Sequence, residues 1–446
     1  MSKDARMIQT LPLALPGALV DYHGLDLTAP YSKGWGVHFF DVVGAPSGEV
    51  YALYGLYRHT YGVADDEQEP ERANFGYRVI TRYAADGEIL GVALFRTGGA
   101  DDEKSAVVDG GDISLCVLPD GLLAISTTPN NTTLVASDLS QVSAVYDSKD
   151  RRPFEPFTPA EGDPFACSVS VTPSGRLLCT VAEYGVWRYG NFLTNLVGLA
   201  DGALTADTRP VINTLASLDP EPAHHSDADL RAHATFQGAP VGIANRPRPA
   251  LTELVPGEDR LSNWRDSRLG RPVPLSDSLF VIPFYAKTFR GGSRGRPFVF
   301  ALVNEQGEMT GRLHGLHEWR DSPFTGFCFN LAADAHRGHA FHLNRYGLYA
   351  WNKEGALRAK LDTENKTFRQ LTHFTLGACA FNGDLLLIHR KQHLLLRIPA
   401  PDDLTDLAAT VEDALRSYTR QRTALKKQWR PINWHWTQTS APVHRI

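Results

Sequence analysis

One short pattern returns along this chain and limits what it can fold into: an apolar strand, a Pro-x-Gly turn and a second apolar strand. It appears first at 37–41, Pro46-Ser47-Gly48 and 50–54. It returns at 113–117, Pro119-Asp120-Gly121 and 122–125, and again at 167–171, Pro173-Ser174-Gly175 and 177–181. A degenerate copy runs through 378–381, Asn382-Gly383-Asp384 and 385–388. Proline, serine, aspartate and glycine at these positions set the dihedrals of a tight antiparallel turn. A second unit places glycine after an acidic or amide residue between two strands, at Asp86-Gly87, Asp201-Gly202, Gln306-Gly307 and Glu354-Gly355. These read as hairpins with glycine in the left-handed position.

Interleaving the two units gives four-stranded meanders, with strands A to D, at about 36–96, 112–147, 166–215, 240–315, 325–362 and 374–399. That is the plan of an all-β, six-bladed β-propeller, or a seven-bladed one if 215–277 holds a further blade. The fourth blade is the least regular, and its first strand is expected at 241–244. The sixth has three strands before Pro399-Ala400-Pro401 ends it, so an N-terminal strand near 18–22 is expected to supply the fourth and remove an exposed edge. The propeller is thus assigned to residues 1–400 and a C-terminal helix and tail to 401–446.

Composition narrows the setting. The chain of 446 residues is 43% hydrophobic and 21% charged, with net charge −5, so bulk electrostatics give no case for nucleic acid. No apolar run approaches the roughly 20 residues of a membrane span, and prolines interrupt the leucine-rich start without a cleavage pattern. Five cysteines, odd and sparse, fit a reducing compartment better than a disulfide framework. A cytoplasmic protein is expected.

The stretches 338–351 and 385–397 pair an apolar strand, a short polar loop and a second strand, and in this they resemble propellers of the lactonase and NHL-repeat type. The resemblance covers about 70 residues and implies the architecture, with no catalytic residue carried over. Gly-His with Trp-Asp blade signatures, Asp-boxes and the kelch double-glycine signature are missing.

In such a fold the B–C and D–A connections share one face, and function sits in loops held by a rigid frame. The B–C connections carry Arg58 and His59, Asn130, Lys287 and Arg290, Asn344 and Arg345, then His389 and Arg390. Converging on one rim, these cations and amides would suit carboxylate or phosphate groups; scattered, they are an ordinary solvated surface. His224-His225-Ser226-Asp227-Ala228-Asp229 holds nitrogen and oxygen donors at close spacing but reads better as an exposed polar loop. Cys116, Cys167, Cys328 and Cys379 fall on expected A strands, where a small hydrophobe packs well.

The last segment is different. Leu404, Leu407, Val411, Leu415, Tyr418 and Leu425 recur at helical spacing, with aspartates at the start and Arg420, Arg422, Lys426 and Lys427 towards the end. Trp429, Trp434 and Trp436 follow. The helix and tail either pack on the propeller's own side or dock a partner, since Trp and Arg dominate interface hot spots.

Two functions are open to such a chain. The first is a non-catalytic binding or scaffold module of an intracellular bacterial assembly, recognising a partner protein or ligand and needing no cofactor. The alternative is a metal-assisted hydrolase or lactonase-like enzyme, with a divalent ion in the central channel held by residues such as Asp41, Asn130, Glu183 and Asn344.

Overall fold

The computed structural model describes residues 8–16, 35–58, 76–96, 114–127, 131–147, 164–183, 193–197, 199–200, 203–204, 209–213, 235–236, 239–240, 267–269, 271–286, 298–307, 309–316, 331–389, 394–428 and 436–445. Among them, six sheets of four or more strands follow the chain as antiparallel meanders, beside a two-stranded ribbon at Leu199–Ala200 and Ala203–Leu204. The repeated meander is the blade of a β-propeller, and the chain is an all-β propeller with one long C-terminal helix.

The repeat explains the meanders at the level of single hydrogen bonds. In the three Pro-x-Gly copies and the degenerate Asn-Gly copy the glycine amide donates back three residues: Gly48 to Ala45 and Gly121 to Leu118 at 2.9 Å, Gly175 to Thr172 at 2.9 Å, Gly383 to Ala380 at 2.8 Å. Each of these glycines has φ between 87° and 91°, a region closed to most side chains. The same turn is therefore built four times around a left-handed glycine, three times after a proline and once after Asn382.

The chain divides into two compact units. The first comprises Met1–Gly110, Val135–Val142 and Thr363–Ile446. One of its sheets runs Trp35–Gly44, Val50–Arg58, Gly76–Tyr83 and Ile89–Arg96. The other runs Phe374–Cys379, Leu385–His389 and Leu394–Ile398, with Gln9–Pro16 as its fourth strand. An N-terminal strand does complete that sheet, but it lies at 9–16, and the expected 18–22 falls outside the described residues. Gln9 to Pro12 pair antiparallel with Arg397 to Leu394, and Leu13 to Pro16 then pair in parallel with Trp436–Thr439. Pro12 and Pro16 sit in a strand that changes partner halfway, an arrangement that tolerates residues unable to donate to a ladder.

The two sheets of this unit pack through their inner strands. Gly44 bridges Ala380, and a methyl group on Gly377 would collide with Val42, so both glycines let backbones approach closely. Leu11, Val42, Val50, Ala52, Tyr83, Leu386 and Leu395 form one core cluster. Burying each such aliphatic side chain contributes about 1.5–3 kcal/mol.

Helix α1 (Leu407–Gln428) is entered through a 3-10 turn at Leu404–Asp406, capped where Thr405 N donates to Asp403 Oδ1 at 2.9 Å. Leu404, Leu407, Val411, Ala414, Leu415 and Tyr418 are buried, so the apolar stripe faces the unit's own sheet, beside Leu394–Ile398. The tail beyond it is also sheet. Trp436–Thr439 adds a fifth strand next to Gln9–Pro16, and Val443–Arg445 adds one next to Ile89–Arg96. Trp429 and Trp434 lie outside the described residues.

The second unit comprises Gly111–Leu134 and Ser143–Asp362. Its sheets include Ser114–Val117 to Val142–Asp147, Pro164–Val171 to Arg209–Asn213, and Leu331–Asp334 to Leu357–Asp362. In the fourth meander the inner strand comes in two pieces, Ser267–Leu269 and Val273–Pro274, both pairing with Leu279–Ala286. The expected strand at 241–244 lies outside the described residues, and Ala239–Pro240 instead extends the third sheet. Pro272 and Pro274 cannot donate to a ladder, which accounts for the broken inner strand. Trp351 anchors this unit's core, stacked on Tyr349 at 5.8 Å and donating from Nε1 to the carbonyl of His314 at 2.6 Å.

Candidate binding face

Most of the expected rim falls in connections outside the described residues: His59, Asn130, Lys287, Arg290 and Arg390 are all there. Arg58 is placed by its backbone alone, as the last residue of Val50–Arg58 opposite Trp35. Three rim residues can be followed to their side chains, and they behave differently.

Asn344 and Arg345 sit in the connection between His339–Leu343 and Gly347–Trp351, which is a tight turn rather than a long loop. Asn344 is buried, and its Oδ1 accepts from Tyr346 N at 2.8 Å and Gly347 N at 3.0 Å, while its own amide donates to Gly347 O at 3.0 Å. It therefore shapes the turn. Arg345 is exposed above it, its guanidinium 4.5 Å from the centre of the Tyr346 ring and hydrogen-bonded to the Tyr346 hydroxyl. A cation held over an aromatic face at an exposed site gains about 0.5–1 kcal/mol. The result is a planar, charged group presented on a rigid two-strand frame.

His389 departs from the rim reading. It is the last residue of Leu385–His389, a strand buried along its whole length, and it is 5% exposed. Phe374 meets its ring edge-on at 5.0 Å, His373 stacks at 5.8 Å and Tyr418 of α1 lies at 6.2 Å. Five apolar or aromatic residues in succession mark a strand covered on both sides, so the helix covers His389 instead of leaving it in a loop. Burial pushes the Tyr418 phenol above its usual range.

The residues considered for a channel metal are scattered in role. Asp41 is buried, and its Oδ1 accepts from the amide of Val42 at 2.9 Å. It follows an irregularity in the pairing between Phe39 and Asp41, and similar shifts occur at Ala166/Ser168 and Leu376/Ala378 on two other inner strands. Such bulges re-aim the side chains around them, a recurrence that the turn repeat alone did not reveal. Glu183 is placed by backbone only, opposite Pro164. Among the described residues no group of three His, Cys, Asp or Glu side chains could hold a metal ion. His224, His225 and Cys328 lie outside them; Cys116 is buried and Cys379 half-buried, neither in a disulfide. No described helix is long and apolar enough to cross a membrane.

A pair of groups that sequence reasoning missed lies at the opposite ends of these strands. Arg82 donates from Nε and Nη2 to the two carboxylate oxygens of Glu49 at 3.0 and 2.8 Å, and the Tyr51 hydroxyl reaches both Glu49 Oε2 and Ser137 O at 2.9 Å. The Arg82 hydrogen bond holds the Glu49 carboxyl below its ordinary range against the opposing effect of burial. The cross-strand spacing of Glu49 and Arg82 was the signal available for it.

No protein-family model matches the chain, and no curated protein does. Solved structures align with much of its length at low identity. It is similar to hydrazine synthase of Kuenenia stuttgartiensis, 9% identical with a TM-score of 0.39, over 85% of this chain and 99% of that one. It is similar also to the WD40 domain of Neurospora crassa Pan2, 8% identical at 0.35 over 88% and 95%. The WD40 β-propeller domain of Doa1 is 11% identical at 0.34 over 82% and 93%. Likenesses at this level bear on neither activity nor partner.

Proposed function

We propose that this chain is a non-catalytic, six-bladed propeller module that binds a partner protein within a cytoplasmic bacterial assembly, using the B–C side of its sheets. The observation that carries the reading is the Arg345–Tyr346 pair. Arginine and tyrosine are the residue types that dominate interface hot spots. Here the guanidinium is already set over its ring on a turn fixed by Asn344. A side chain ordered before binding avoids the roughly 0.5–1.5 kcal/mol that immobilising it would cost at the interface. The blade count of six rests on the six sheets of four or more strands among the described residues.

The test is affinity capture from native cells with the full chain as bait, comparing wild type with Arg345→Ala/Tyr346→Ala. Arg345 is exposed and Tyr346 half-buried in a turn, so the variant should stay folded with at most a small drop in melting temperature. The reading expects a specific partner with the wild type and its loss with the variant. Equal recovery by both baits would contradict it.

A further inference from the structure

The C-terminal tail covers two sheet edges of the first unit. Trp436–Thr439 runs parallel to Leu13–Pro16 on one sheet, and Val443–Arg445 runs parallel to Val92, Ala93 and Leu94 on the other. Between them the chain steps across at 440–442, where Ala441 N donates to Thr439 Oγ1 at 3.0 Å and Pro442 O accepts from Val92 N at 2.9 Å. Without the tail, that Val92 amide and its neighbours would be an open ladder along an apolar segment.

The second unit treats an outermost strand in another way. Leu357–Asp362 is the last strand of its sheet, and it exposes Arg358 and Lys360. Charge on an outer strand blocks strand addition, whereas an uncovered apolar edge is a template for it. The edge at Val92, Ala93 and Leu94 has no such charge within it and all three side chains are buried. Its protection is the tail.

The tail is held lightly. Its pairing amounts to four residues on one sheet and three on the other, in the parallel arrangement that is slightly weaker per residue. Ser440, Pro442 and Val443 are exposed.

We propose that the tail is an exchangeable clasp, and that the edges it covers are a self-association surface whose occupant in trans is the tail of a second copy of this chain. The strand that fits these edges is the chain's own, in register, so a second copy offers the matching partner without any new recognition chemistry. Reciprocal exchange of an identical element closes a symmetric dimer. The tail seated in cis gives a monomer, and the tail seated in trans gives a dimer with the same contacts.

Ala93 and His444 are register partners across the edge, so cysteines there report where the tail sits. Three full-length proteins are needed: Ala93→Cys, His444→Cys and the double variant, each oxidised mildly beside wild type as the control for the native thiols. The double variant at low concentration should close an intramolecular disulfide. A mixture of the two single variants should form a covalent heterodimer whose yield rises with protein concentration. Closure in cis with no heterodimer at any concentration would overturn exchange. No closure of the double variant, either within one chain or between two, would overturn it too, because the tail would not lie on that edge at all.

Discussion

Arg397 donates from Nε to Asp384 Oδ2 across 2.8 Å with both side chains almost fully buried, and its Nη1 reaches the carbonyl of Gly48 at 2.9 Å. The pair thereby joins a turn of the closing sheet to a turn of the first sheet within one unit. Removing one partner of a buried ion pair leaves an uncompensated charge, which costs about 3–5 kcal/mol. Arg397→Met should lose stability on that scale in denaturant unfolding. Arg397→Met combined with Asp384→Leu should recover part of it, and a double variant worse than the sum of the singles would argue against this role.

The N-terminal strand is held by more than its ladder. Leu11 is 3% exposed in the core cluster, and Gln9 Nε2 donates to Ala85 O at 2.5 Å. Leu11→Ala should therefore cost about 2–5 kcal/mol, as large-to-small core changes do. The loss should appear as one cooperative shift of the denaturation curve, not as fraying of one end. An unchanged midpoint would mean that strand closure at 9–16 contributes nothing.

Helix α1 belongs to the fold it caps. Tyr418 meets Phe374 edge-on at 5.5 Å and is 2% exposed. Tyr418→Ala should destabilise by about 3 kcal/mol or more, by analogy with aromatic truncation in cores. A chain ending near residue 400 would expose the strand that the helix covers, so it should be insoluble or molten. A soluble, cooperatively folded truncation would restore the helix as a free docking element.

Acid should weaken the first unit through Glu49. Its folded pKa is depressed, chiefly by the Arg82 hydrogen bond, so its contribution is fully present above the ordinary glutamate value of about 4.3. That contribution is lost as pH falls through the lower folded value. Comparing wild type with Glu49→Gln by denaturant titration, the stability gap should be constant above about pH 5 and shrink below about pH 4. A gap that widens on acidification would have the wrong sign.

The blades were legible because the repeat is written in turn chemistry: Gly48, Gly121, Gly175 and Gly383 mark the same hydrogen-bonded turn. Helix α1 was legible too, since its stripe is periodic over more than four turns. The closing strand lies at 9–16 and not near 18–22, and Pro12 and Pro16 are tolerated there because the strand switches partner at its midpoint. The tail strands were missed because three- and four-residue elements carry no period; their partners fix them, not their sequence. His389 looked like a rim residue because a polar run follows it, and only the helix packing shows that it is buried. The Arg345–Tyr346 platform needed coordinates, since sequence adjacency does not place a guanidinium over a ring.

On the proposed reading, the B–C side meets a partner protein at Arg345. A photo-reactive amino acid placed at position 345 of the full chain in native cells tests it directly, with position 358 on the exposed outer strand as the comparison. Irradiation should yield a discrete adduct with one other protein at 345 and none at 358. Adducts at both positions alike, or at neither, would contradict the account.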